Sequence, residues 1–207
     1  YMDNAATTKV SEAAISAMLP FFQTEYGNPS SIHQAGQAAQ AALEGARETV
    51  AELLGAQPGE IYFTSGGTEA DNWAIRSAAL AGARKGKKHL ISSSFEHHAV
   101  LHTLKALEKE GFEITLLSVH SDGVVRPEEL RAALREDTAL VTVMYANNEI
   151  GTVQLIAELG AICKAWGVPF HTDAGQAIWH IEVDVTAQNI DLLPLSGPPF
   201  PGPKGGG

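Results

Sequence analysis

The chain has a single cysteine, Cys163, among its 207 residues. That excludes a disulfide framework and a cysteine-built metal cluster within it. No apolar run is long enough to span a bilayer and no signal-peptide pattern opens the chain, so the default compartment is the cytosol. Basic residues are scarce, with 14 Lys and Arg against 24 Asp and Glu and a net charge of −10, and they form no stripe. Neither nucleic acid nor an anionic membrane surface is expected as the main partner. No internal repeat and no interdomain linker is visible, and both ends look cut: Tyr1 precedes Met2, and the chain stops on Gly205-Gly206-Gly207.

What is present is ordinary for a globular protein, 44% apolar and 18% charged, and long enough for one domain with its own core. Helices are expected over Ser11–Phe22, with Ser11 as N-cap, and over the alanine-rich stretch His33–Leu54, with Gly55 placed to stop it. From there strands and helices alternate. Strands are expected at Glu60–Thr64, His89–Ser93, Glu113–Val119, Ala139–Tyr145, Val168–Thr172 and Asp191–Leu195. The intervening helices are Thr68–Arg84, His98–Glu110, Pro127–Arg135 and Val153–Trp166. Such alternation implies an α/β fold with a mostly parallel sheet and helices on both faces.

In an open sheet of that kind, ligands sit in the crevice beyond the carboxyl ends of the strands. VPFHTDAGQ, 168–176, ends a strand there and directs Asp173 and Gln176 towards that crevice. A lone carboxylate in that position suits a metal, a ribose or a protonated ring nitrogen. YFTSGGTEADN, 62–72, reads as strand, Ser-Gly-Gly-Thr turn and helix. Its backbone N–H groups and helix N-terminus can cradle a phosphate; equally, it is a structural turn capped by Thr68. It is neither a P-loop nor a GxGxxG fingerprint, so a nucleoside triphosphate or a dinucleotide is not favoured. FEHHAVLH, 95–102, places His98 and His102 four apart, where solvated surface residues are favoured over a metal pair. His97 instead marks a strand-to-helix junction on the crevice rim, where an imidazole can stack on a flat ligand or move a proton. In MYANNEIG, 144–151, the two asparagines either reach a ligand oxygen or fix a tight turn. Cys163 shares a helix face with Leu159, Ile162 and Trp166 and reads as a buried, inert thiol.

Together these stretches resemble a known family. DNAATT (3–8), GNPSSIHQAG (27–36), FTSGGTEADN (63–72), EHHAV (96–100), NNEIG (147–151) and HTDAGQ (171–176) are similar, in order and spacing, to motifs of the cysteine desulfurases of iron–sulfur cluster assembly. The resemblance implies the large domain of a fold-type-I pyridoxal phosphate enzyme: a three-layer α/β/α sandwich around a mixed, mostly parallel sheet. Residues 1–10 would be an N-terminal arm and residues 11–207 the cofactor domain, truncated at its C-terminus. Gly67 and Thr68 would hold the phosphate, with a further contact from Ser196. His97 would stack on the ring and move protons. Asn148 and Gln176 would meet the ring hydroxyl side, and Asp173 would pair with the ring nitrogen. The implied reaction takes sulfur from L-cysteine, leaving L-alanine and an enzyme persulfide for a sulfur-acceptor or scaffold protein. The implied state is a homodimer.

The resemblance also implies a histidine at 198 and the Schiff-base lysine at 199, where this chain has Pro198 and Pro199. Proline has no side-chain amine and no N–H. Lys204 matches a second lysine of the family that does not carry the cofactor. The loop with the nucleophilic cysteine and the arginine for the substrate carboxylate match nothing in the chain. The expectation is a desulfurase pocket in a chain that is incomplete or inactive as it stands. The alternatives are a non-catalytic relative that binds the cofactor or a full-length subunit, and a selenocysteine lyase or other fold-type-I aminotransferase. GNPSSIHQAG and NNEIG argue against the last.

Overall fold

A computed structural model of the chain describes residues 2, 8–175, 177–178, 180–196 and 206–207. Two helices come first, α1 (Glu12–Gln23) and α2 (Gln34–Leu54). Ser11 Oγ accepts from Ala14 N at 3.1 Å and His33 Nδ1 accepts from Gly36 N at 3.3 Å, so both helix starts are capped by side chains. Gly55 ends α2 at φ 68°, a conformation that favours glycine. α3 (Gly67–Ala83) follows, then β1 (His89–Ser93), α4 (His98–Lys109), β2 (Glu113–Leu117), α5 (Pro127–Ala133), β3 (Thr138–Thr142), α6 (Ile156–Trp166) and β4 (Phe170–His171).

The four strands are parallel, in the order β2-β1-β3-β4. Alternate side chains leave opposite faces of a strand. On one face Leu90 of β1 and Leu140 of β3 pack with Ile75 and Ala79 of α3 and Leu104 and Leu107 of α4. On the other, Ile91 and Val141 pack with Leu130 of α5 and Leu159, Ile162 and Cys163 of α6. The result is the three-layer α/β/α sandwich. The chain leaves β1 through α4 on one face and β3 through α6 on the other. The sheet order therefore reverses between β1 and β3, and their carboxyl ends flank a crevice.

Two expected strands differ. At Glu60–Thr64 no strand forms. Pro58–Glu60 is a 3-10 turn, for which proline's fixed φ is suited. Among the described residues Thr64 alone pairs, exchanging hydrogen bonds of 2.6 and 3.1 Å with Gly207. The Asp191–Leu195 stretch runs beside β4 but is reduced to a bridge, Leu192 with His171, plus the bonds from Thr172 N to Leu192 O (3.0 Å) and Ala174 N to Pro194 O (3.2 Å). Pro194 has no N–H to continue the ladder.

α1 has no buried residue, and Phe22, Tyr26, Ile32, Tyr62 and Trp73 are exposed. No helix among the described residues is long and apolar enough to cross a membrane.

Candidate active site

A pocket of about 250 Å³ opens at the carboxyl ends of β1, β3 and β4. Gly67, Thr68, His97, Asn148, Asp173 and Ser196, all singled out from the sequence, line it together. Gln176, Pro198, Pro199 and Lys204 lie outside the described residues.

One end is made of backbone. α3 starts at Gly67, and its first N–H groups have no partner within the helix. Thr68 occupies the second helical position. The N-cap is Gly66 and no side chain caps the helix, so the capping role open to Thr68 is not the one it takes. Glu69 holds the turn instead, its Oε2 accepting from both the N–H and the hydroxyl of Ser65 at 2.7 Å. Those bonds, the hydroxyl first, keep its carboxyl below the usual range. A Cβ on Gly67 would meet Ser196 Cβ at 3.1 Å, and one on Gly175 would meet Asp173 Oδ1 and Ser196 Oγ at 3.2 Å. Glycine at both positions lets the three segments converge.

The other end is made of acids. Asp173 follows β4 and accepts from Gly175 N at 2.9 Å through Oδ1. Burial raises its pKa, and the nearby Asp71 raises it further. Asp71, on α3, is buried at 2% exposure and its Oδ1 has no hydrogen-bond partner among the described residues. One donor atom each from Asp71, His97 and Asp173 lie within 4.8 Å of one another. Beside them Glu96 is fully enclosed; its Oε1 accepts from Met144 N at 2.9 Å and from the Ser93 hydroxyl. Burial pushes its carboxyl up to about 8.

His97 caps α4, its Nδ1 accepting from Ala99 N at 3.2 Å. The two asparagines divide the roles that the sequence left open. Asn147 fixes the turn, its Oδ1 accepting from Glu149 N (2.9 Å) and Ile150 N (3.1 Å), while Asn148 faces the pocket. His98 and His102 stack on the exposed surface of α4, 5.6 Å between ring centroids. Cys163 is fully buried and burial pushes its thiol up to about 12, away from reactivity.

The sequence reading missed Asp71 and Glu96. Asp71 had a signal: Gly67, Asp71, Ile75 and Ala79 recur every four residues on one helix face, and the last three are buried. An acid in that series is unusual. Glu96 gave none beyond its place before His97.

The Aminotransferase class-V family model matches residues 1–207. The chain belongs to the class-V aminotransferase family. Among curated members it is 56% identical over 207 residues to the cysteine desulfurase IscS of Methanosarcina thermophila, covering all of this chain and 51% of that one. It is 50% identical to the IscS of Clostridium botulinum strain Hall, covering 52% of it. The chain thus spans about half the length of these class-V relatives. Among solved structures it is similar to one titled "SspA in complex with cysteine" (41% identity, TM-score 0.96, 100% of this chain and 59% of that one). It is also similar to one titled "NIFS-LIKE PROTEIN" (40%, TM-score 0.96, 100% and 57%).

The pocket fits pyridoxal phosphate on the chemistry of its donors. A planar ligand with a phosphate at one end and a basic ring nitrogen near the other matches a pocket lined by a helix N-terminus at one end and by Asp173 and Asp71 at the other, with Asp71 Oδ1 lacking a hydrogen-bond partner among the described residues.

Proposed function

We propose that the chain is the cofactor-binding part of a cysteine desulfurase that works on L-cysteine with pyridoxal 5′-phosphate. The observation that carries this reading is the two-ended pocket: α3 opens on Gly67 and Thr68 at one end, and Asp71 and Asp173 close the other. Pyridoxal phosphate, when bound, supplies an electron sink for bonds broken next to an amino group. The residues of this chain do the rest. The N–H groups at Gly67 and Thr68, with the Thr68 and Ser196 hydroxyls, hold the phosphate. Asp173 holds a proton on the ring nitrogen; burial and the neighbouring Asp71 disfavour its bare negative charge, and a cationic ring N–H beside it offsets that cost. His97 is positioned by its bond from Ala99 N, which leaves Nε2 to stack on the ring side or move a proton. Asn148 and Gln176 take the ring hydroxyl side. L-cysteine as substrate is supported by the solved relative whose title states a complex with cysteine.

Pro199 stands where the lysine is expected, so the chain holds the cofactor by non-covalent contacts alone and does not turn over cysteine. A homodimer is supported by the exposed apolar side chains of α1 and of Tyr26, Ile32 and Trp73. A sulfur-accepting scaffold protein is the expected downstream partner.

The test is to titrate the purified chain with pyridoxal 5′-phosphate and with pyridoxal, following absorbance, and then to add L-cysteine and assay alanine. Saturable binding that needs the phosphate, without alanine, is expected. Equal binding of the two compounds, or none, would overturn the cofactor reading. Sustained alanine production would overturn the role given to Pro199.

A further inference from the structure

Two histidines are fully buried in the sheet, and their surroundings differ. His89, at the start of β1, has both ring nitrogens engaged, Nδ1 at 2.9 Å from Thr138 Oγ1 and Nε2 at 2.8 Å from Thr115 Oγ1. His171, at the end of β4, has Nδ1 at 2.7 Å from Thr142 Oγ1. Its Nε2 lies 3.5 Å from Asp71 Oδ1, within ion-pair reach but short of a well-formed hydrogen bond. Neither atom has a hydrogen-bond partner among the described residues. Leaving buried polar atoms so poorly paired is costly, which makes the arrangement informative.

A neutral imidazole has one donor and one acceptor. When the Thr142 hydroxyl donates to Nδ1, the ring proton is on Nε2, the atom nearest Asp71. Asp71 lines the pocket and is within 4.8 Å, donor atom to donor atom, of Asp173. Two carboxyl groups that close crowd negative charge, and a cation between or beside them relieves it.

We infer that Thr142 and His171 are positioning residues that hold Asp71 beside Asp173, making the closed end of the pocket a two-carboxylate seat for one N–H cation of a planar heteroaromatic ligand. This rests on the pyridoxal phosphate reading and extends it. Asp173 meets the ring nitrogen. Asp71 contributes the second negative charge, so the pair favours the protonated ring more than one acid does. His171 stands behind Asp71, its Nε2 3.5 Å from Oδ1, and fixes where that carboxylate can sit.

The test compares pyridoxal 5′-phosphate with its carbocyclic analogue, which has C–H in place of the ring nitrogen. Affinities are measured for the wild-type chain, Asp71→Asn and His171→Gln. Asp71→Asn should weaken pyridoxal phosphate about tenfold or more and change the analogue by less than about twofold. His171→Gln should show the same pattern with a smaller loss. Equal losses for both probes would mean that Asp71 only supports the fold, overturning the seat while the cofactor reading stands. A wild-type chain that binds no pyridoxal phosphate overturns both. A second readout needs neither ligand nor variant: nitrogen NMR of the wild-type histidine side chains should show the His171 proton on Nε2. A proton on Nδ1 overturns the role given to Thr142 and His171.

Discussion

The two ends of the pocket solve opposite electrostatic problems with different materials. The end at Gly67 and Thr68 faces outward, with Thr68 exposed, and offers backbone N–H groups at a helix start. Its partial positive charge comes with the helix and needs no buried ion. The end at Asp71 and Asp173, with Glu96 enclosed beside it, collects three carboxyl groups in a dry region, two of them buried and Asp173 half-buried. Burial there raises the proton affinity of Glu96 and Asp173. A backbone cradle tolerates changes in neighbouring side chains so long as the glycines remain. A side-chain cradle depends on every supporting contact, and a cationic ligand group relieves the charge crowding.

The contrast is sharpest at Asp173. Asp173→Asn should weaken pyridoxal phosphate by roughly 100-fold, since breaking a buried charge-assisted pair costs about 2–5 kcal/mol; absorbance titration reads it directly. Near-wild-type affinity would shift the weight of binding to the backbone end. Gly67→Val tests that end. Its Cβ starts 3.1 Å from Ser196 Cβ, so the branched side chain forces the two segments apart. A loss of about tenfold is expected for pyridoxal phosphate and little for pyridoxal, since the charged hydrogen bonds to phosphate are what is weakened.

Glu96 turns the acid end into a stability measurement. Its carboxyl sits at about 8 against an ordinary 4.5, so the fold binds the proton more tightly than the unfolded chain does. Its contribution is fully present below 4.5 and is lost as the pH rises through about 8. Glu96→Gln keeps an acceptor for Met144 N and has no charge to bury. It should remove this part of the pH dependence and be more stable than wild type at the alkaline end by roughly 1–3 kcal/mol, seen in urea midpoints across pH. An unchanged profile would place the titration elsewhere in the cluster. The smallest effect is expected at His98, adjacent to His97 but on the exposed face of α4. His98→Ala should leave cofactor affinity alone and alter stability by no more than about 0.5 kcal/mol.

Much of this was legible in the chain. Periodicity placed α2, α3, α4 and α6 to within a few residues because each has a continuous apolar face and, at Gly55 and Gly167, a left-handed stop. The strands read clearly where both faces are covered, as in β1 and β3. Glu60–Thr64 misled because Ile61, Tyr62 and Phe63 have the composition of a strand, but no sheet neighbour among the described residues pairs with them. Composition cannot report whether a neighbour exists. At the site, turn glycines and residues just past strand ends announced themselves by position. Asp71 did not, because its role comes from what packs behind it.

The sequence by itself determined the alternation that makes a parallel α/β sandwich, the glycine turn that starts α3, and the motif order that marks the family. Each is local or serial, and the physics of short stretches suffices. Only the tertiary structure decided that Asn148 rather than Asn147 faces the pocket, and that Glu96 is sealed against Met144. It also decided that Asp71, His171 and Thr142, drawn from three separate elements, meet behind Asp173. Those outcomes depend on strand order and on which face each helix covers, and they set the burial that raises the proton affinity of Glu96 and Asp173.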